Sequence, residues 1–174
     1  MRETEKQEIL HALKTGRDAL REALAGVDEQ LAIRKPEPGG WSILECVEHL
    51  AVSEGFLLSR LRCASQSDHS HENRPREAII RDRGSDRTRP VQSPEVGQPR
   101  NRFASLGEAL AAFDSVRAQL VQFVEGFSGD PRFWTTDHPL IPGPVNCYEI
   151  LLMISIHPTR HAKQIMDIRT RICR

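Results

Sequence analysis

The sequence has no surplus of charge: twenty-four basic residues are matched by twenty-four acidic ones over 174 positions, and the formal net charge is zero. Without a global field there is nothing to gather nucleic-acid phosphates or anionic lipid headgroups, so neither nucleic acid nor membrane is an expected partner. Long apolar runs are missing too. The longest, 150–156, is broken by Ser155 and falls well short of the roughly 20 residues that cross a bilayer. The opening stretch MRETEKQEIL has no hydrophobic signal region and carries acids from its third residue, which points to a cytoplasmic address. Cysteine is scarce: Cys46, Cys63, Cys147 and Cys173 make no C-x-x-C pair and are too few for a disulfide scaffold, so reduced thiols are expected. There is no glycine-rich phosphate loop, no G-x-S-x-G elbow and no redox dithiol.

Strand alternation is nowhere convincing, whereas helical periodicity occurs four times. Ile9, Leu13, Leu20, Leu24 and Val27 share one face of a first helix over about 2–25. A second helix opens on the S-x-x-E capping box Ser42 to Glu45 and buries Ile43, Val47, Leu50, Leu57 and Leu61. A third opens on Ser105 to Glu108 and buries Leu106, Leu110, Phe113, Leu120, Val121 and Val124. The fourth starts at Asn146, with Glu149 three residues on, and runs toward Cys173. Residues 65–102 break the pattern with eight arginines and six acids and read as a solvated connection. Residues 1–174 are therefore expected to form a single all-α domain, an up-down four-helix bundle with a long connection between helices 2 and 3. Trp41 and Trp134 are expected to pack at the bundle ends.

The chemistry concentrates in the fourth helix. Cys147, Ile150, Ile154, Ile165, Ile168 and Ile172 define its buried stripe, and His157, His161 and Gln164 fall within it. Imidazoles four residues apart stack about 6 Å apart along the helix axis. Burying both leaves several polar atoms to satisfy in a medium of low dielectric, and a divalent cation satisfies both rings at once. A third ligand should come from another helix. His11 lies opposite its helix's apolar stripe, His69 and His71 lie in the polar connection, and His138 lies in the loop before the fourth helix. His49 is in the middle of the second helix, about 120° from the stripe centre, a flank position that suits a site at the rim of the bundle.

Three further features stand out. Pro158, inside a helix, removes the bond to the Ile154 carbonyl and should bend the chain, either as a tolerated kink with no role or as a bend that aims His157. Glu54 and Arg117 both fall within about 20° of an apolar stripe's centre, and an isolated charge there is expensive, so a buried ion pair between them is expected. Cys46 is read as a small apolar filler rather than a ligand, and Glu45 as a capping residue rather than a base.

The stretches GGWSILECVEHL and HPLIPGPVNCYEILLMISIHPTRHAKQI, with LGEALAAFDSVRAQL between them, resemble the DinB/YfiT-like superfamily of four-helix metalloproteins. The resemblance covers the core of most of the chain, and the variable connection lies outside it. It implies a divalent metal, zinc or nickel, held by His49, His157 and His161 with solvent completing the shell. It further implies a small-molecule substrate, with transfer of a low-molecular-weight thiol or hydrolysis as the reaction. Homodimerisation is frequent in the family and is expected. The competing reading is a non-catalytic, stress-related bundle whose metal is structural or missing.

Overall fold

The computed structural model describes residues 1–88 and 91–172. In chain order the elements are α1 (Glu3–Leu24), α2 (Glu29–Ile33), α3 (Ile43–Arg62), β1 (Ser65–Gln66), α4 (Arg74–Arg83), α5 (Leu106–Gly126), β2 (Trp134–His138), β3 (Ile141–Asn146) and α6 (Cys147–Ile172), with single 3-10 turns at Glu95–Gly97 and Pro131–Phe133. Helices α1, α3, α5 and α6 make a four-helix bundle. α1 packs on α6 and α5, and α3 packs on α5 and α6. The second and fourth bundle helices are therefore neighbours, which puts His49 and the α6 histidines on adjoining walls. Among the described residues no helix is long and apolar enough to cross a membrane.

The helix starts follow the sequence signals. Ser42 Oγ accepts from Glu45 N at 3.2 Å while Ser42 N donates to Glu45 Oε2 at 2.7 Å. Asn146 and Glu149 make the same reciprocal pair at the start of α6, at 3.0 and 3.1 Å. Each such cap contributes about 1 kcal/mol. α6 continues through Pro158 without interruption. Cys46, Cys63 and Cys147 are free thiols. The corresponding expectation for Cys173 lies outside the described residues.

The core falls into two apolar clusters. One gathers Ile9, Leu13, Leu57, Leu61, Leu120, Val124 and Ile150, the other Leu20, Val47, Leu50, Phe113, Ile165 and Ile168. Along every bundle helix the two sets are separated by something other than an aliphatic side chain: Gly16 on α1, Glu54 on α3, Arg117 on α5 and the His157–Pro158 step on α6. Gly16 is required there by space. A Cβ at this position would lie 2.9 Å from the Ser155 carbonyl oxygen and 3.4 Å from Pro158 Cδ.

Two expectations need correction. A three-stranded antiparallel sheet, β1-β2-β3, caps the bundle. Its strands are two, five and six residues long and include the Pro-Gly-Pro step 142–144, so no alternation could register in the sequence. The segment 65–102 is also more than a solvated connection, because it contains α4, which packs on α6. The inner face of α4 holds Ile80 at 9% exposure and Glu77 at 4%, and its charges are matched from the bundle. Arg132 donates through Nε and Nη2 to Glu77 at 2.9 and 3.0 Å and through Nη2 to Glu5 at 3.0 Å, with its guanidinium 4.0 Å above the Tyr148 ring. Arg76 donates to the fully buried Glu149 at 2.5 and 2.7 Å.

Burial alone would raise the Glu5 carboxyl, but hydrogen bonds from Arg2 and Arg132 outweigh it and hold the group down at about 2, against its ordinary 4.5. A carboxylate depressed in the folded state contributes stability above its unfolded value and loses that contribution as pH falls through the folded one. The shift corresponds to about 3 kcal/mol. Glu5→Gln should therefore be less stable than the parent protein by about that amount at pH 7, with the two urea midpoints converging as pH approaches 2. Parallel curves across that window would remove Glu5 from the account of acid unfolding.

Candidate metal centre

The three histidines singled out in the sequence come together. His49 on α3 faces His157 and His161 on α6, with Nε2 of His157 3.1 Å from Nε2 of His49 and 3.0 Å from Nε2 of His161. Ring centroids are separated by 5.0, 4.7 and 4.7 Å. His49 and His161 are buried, while the His157 side chain retains 21% of its exposure, so the cluster reaches solvent on one side. His11, His69, His71 and His138 lie elsewhere. His11 contacts Thr15 on the outer face of α1, His69 and His71 stack on each other at 4.4 Å, and His138 ends β2.

Each ring is held. His49 Nδ1 is 2.7 Å from the carbonyl oxygen of Gly97. A carbonyl only accepts, so Nδ1 is the protonated nitrogen and Nε2 carries the lone pair. The 3-10 turn that supplies this carbonyl is clipped to α3 by Glu48, one residue before His49, whose buried Oε1 accepts from Arg100 N at 2.7 Å and Arg102 Nη1 at 2.9 Å. Gly97 fits because it lacks a side chain: a Cβ there would lie 2.6 Å from Ser53 Oγ and 3.0 Å from His49 Cε1. Trp41 covers another flank, its ring 5.0 Å from His49 and stacked on His161 at 6.3 Å with 13° between planes. The expectation that Trp41 packs at a bundle end is thus replaced by a wall position beside the histidines. Trp134 does lie away from them, in β2 against Phe127.

Electrostatics keeps the cluster uncharged. Burial lowers the His49 imidazole below its ordinary value, with the Gly97 hydrogen bond opposing. His157 is pushed well down by burial and then by His161 and His49, and His161 by burial and then by His49 and Arg160. Neutral rings cannot satisfy one another here. The His49 proton is committed to Gly97, so the two Nε2···Nε2 contacts share at most one linear hydrogen bond and leave lone pairs facing each other. A divalent cation at the centre uses all three. With metal–nitrogen bonds of 2.0–2.1 Å and tetrahedral angles, ligand nitrogens stand about 3.3 Å apart, close to the separations found. The three residues therefore fit a metal.

Two neighbours named from the sequence do other work. Cys46 is fully buried, and burial pushes its thiol far above the usual range. Both Glu45 oxygens are engaged, by Lys35 Nζ at 2.8 Å and by the Ser42 amide. The expected ion pair is present: Arg117 Nη2 donates to Glu54 Oε1 at 3.0 Å and Nε lies 2.9 Å from Oε2, with both side chains buried. Burial pushes the Glu54 carboxyl up to about 7 against the restraint of Arg117.

Residues 12–165 match the family described as the DinB superfamily. No curated protein matches the chain. Among solved structures, YfiT from Bacillus subtilis, described as a probable metal-dependent hydrolase with an unusual four-helix bundle topology, superposes with a TM-score of 0.65 at 15% identity, over 99% of this chain and 90% of its own. TT2238, a four-helix bundle protein, gives a TM-score of 0.60 at 24% identity over 93% and 98%. At these identities the likeness speaks for the fold.

Proposed function

Since the chain belongs to the DinB superfamily, we propose that it binds a divalent metal ion, zinc or nickel, through His49, His157 and His161 and is a metal-dependent enzyme acting on a small molecule. The observation that carries this reading is the convergence of three uncharged imidazole Nε2 atoms at a partly open rim, 3.0 and 3.1 Å apart. The description of YfiT as a probable metal-dependent hydrolase supports the same direction. A divalent ion held there supplies Lewis acidity, which lowers the pKa of a nucleophile toward neutrality.

The chain's own residues prepare the site. Their depressed pKa values keep the histidines unprotonated, so protons do not compete for the ligand atoms near neutral pH. Gly97 fixes the His49 tautomer, and Trp41 excludes water from one flank while the His157 side stays accessible to a substrate. Water as nucleophile gives hydrolysis, and a low-molecular-weight thiol gives S-transfer; the same three ligands serve both.

The test is metal analysis of protein purified without chelator, followed by incubation with a panel of esters and amides and, separately, of low-molecular-weight thiols with electrophiles. We expect one metal ion per chain and a turnover that chelation abolishes. Metal-free protein that takes up neither zinc nor nickel on addition would overturn the reading. Metal uptake with no turnover on either panel would leave the binding and remove the enzyme.

A further inference from the structure

Pro158 has no N–H, so the carbonyl of Ile154 loses its helical donor. The replacement comes from α5, where Arg117 Nη2 donates to Ile154 O at 3.1 Å. The same nitrogen donates to Glu54 Oε1 at 3.0 Å, and the guanidinium lies 5.2 Å from the centre of the Phe113 ring. The arginine is thus anchored between a carbonyl three residues before His157 and the carboxylate of Glu54. A planar fork can make both contacts, whereas an ammonium is a point charge on a flexible stem. Glu54 Oε1 in turn stands 3.8 Å from His157 Nδ1, on the side of the ring facing away from Nε2. That distance exceeds a direct hydrogen bond, so the carboxylate acts as a charge. A negative charge beside Nδ1 favours the tautomer with the proton there and leaves the Nε2 lone pair directed at His49 and His161.

We propose that Glu54, held in place by Arg117, is a positioning residue that fixes His157 in its Nδ1–H tautomer and so aims the Nε2 lone pair at the centre of the triad. Gly97 does the same for His49 through a backbone carbonyl. The proposal rests on the reading of the triad as a metal site, and its consequence for the tautomer exists without metal.

The experiment uses Glu54→Gln, nearly the same shape and still able to pair with Arg117. Ring 15N shifts in metal-free protein read the His157 tautomer, and chelator competition reads zinc affinity. We expect one Nδ1–H tautomer in the parent protein, a mixture in Glu54→Gln, and zinc binding weaker by about 10- to 100-fold, the usual cost of losing an outer partner of a ligand histidine. Glu54→Asp, which keeps the charge, should recover part of both. If Glu54→Gln does not fold, Arg117→Lys reads the same two quantities and should move both. A folded variant with unchanged tautomer and unchanged affinity overturns the proposal and leaves the metal site standing. A parent protein that binds no zinc but loses its single tautomer in Glu54→Gln overturns the metal site and leaves the positioning role standing.

Discussion

Zinc or nickel at about a hundredfold its dissociation constant should raise the midpoint of thermal unfolding by roughly 5–10 °C, and His161→Ala should abolish that rise. A ligand that binds only the folded state at this excess stabilises by about 2.7 kcal/mol. For a chain of this length each kcal/mol moves the midpoint by about 2–4 °C. His161 is the informative position because its ring meets the other two histidines and otherwise stacks on Trp41. His49, by contrast, also receives the 3-10 turn through Gly97. Removing a direct ligand should weaken binding by more than about 100-fold, beyond the range for outer partners. The metal-free variant should unfold within a few degrees of the parent, because the deletion also removes a ring whose lone pair faces others. Differential scanning calorimetry with and without metal reads both quantities. A full metal-induced rise in the variant would take His161 out of the site.

Arg132→Ala should be the most damaging substitution remote from the triad. It leaves Glu5 and Glu77, at 5% and 4% exposure, without the guanidinium that joins them. Among the described residues Glu77 then keeps Arg81, at 3.9 Å, and Glu5 keeps the side chain and the backbone amide of Arg2. Breaking a buried ion pair by deleting one partner costs about 3–5 kcal/mol, which lowers the unfolding midpoint by roughly 6–20 °C. The pH dependence should also become shallower. In the parent protein Glu5 is held ionised, so acid destabilises. In the variant Glu5 loses the Arg132 share of that restraint and keeps the hydrogen bonds from Arg2, so stability should fall less steeply with acid than in the parent. Urea unfolding at several pH values checks this, and a variant that loses stability with acid as steeply as the parent does would show that Arg132 has no part in holding Glu5 ionised.

The sequence announces those features whose chemistry is carried by side chains at regular spacing. The capping pairs Ser42/Glu45 and Asn146/Glu149 mark two helix starts to the residue. Glu54 and Arg117 are visible as charges in apolar stripes, and their pairing follows from the cost of leaving either alone. His157 and His161 are visible because they sit in the buried stripe of α6, and His49 because it flanks that of α3. The rest depends on contacts that leave no pattern. α4 is hidden because its inward face is one isoleucine plus a glutamate matched by Arg132, and in sequence such a glutamate looks solvated. Gly97 acts through its carbonyl, an atom every residue has. Trp41 reaches the histidines by folding back from just before the α3 cap, a direction no periodicity encodes. The role of Arg117 toward the Ile154 carbonyl could have been anticipated only in part, since Pro158 signals an orphaned acceptor but not who answers it.

The interruption between the two apolar clusters also sets the register of the helices. Leucine and isoleucine seams tolerate sliding, because one turn further along another aliphatic side chain takes the vacated place. A one-turn slip of α5 along α3 moves a residue by about 5.4 Å, which would separate Arg117 from Glu54 and leave two charges buried without partners. Only one alignment avoids that penalty. The same alignment, transmitted from α5 to α6 through the Ile154 carbonyl, fixes the height at which His157 meets His49.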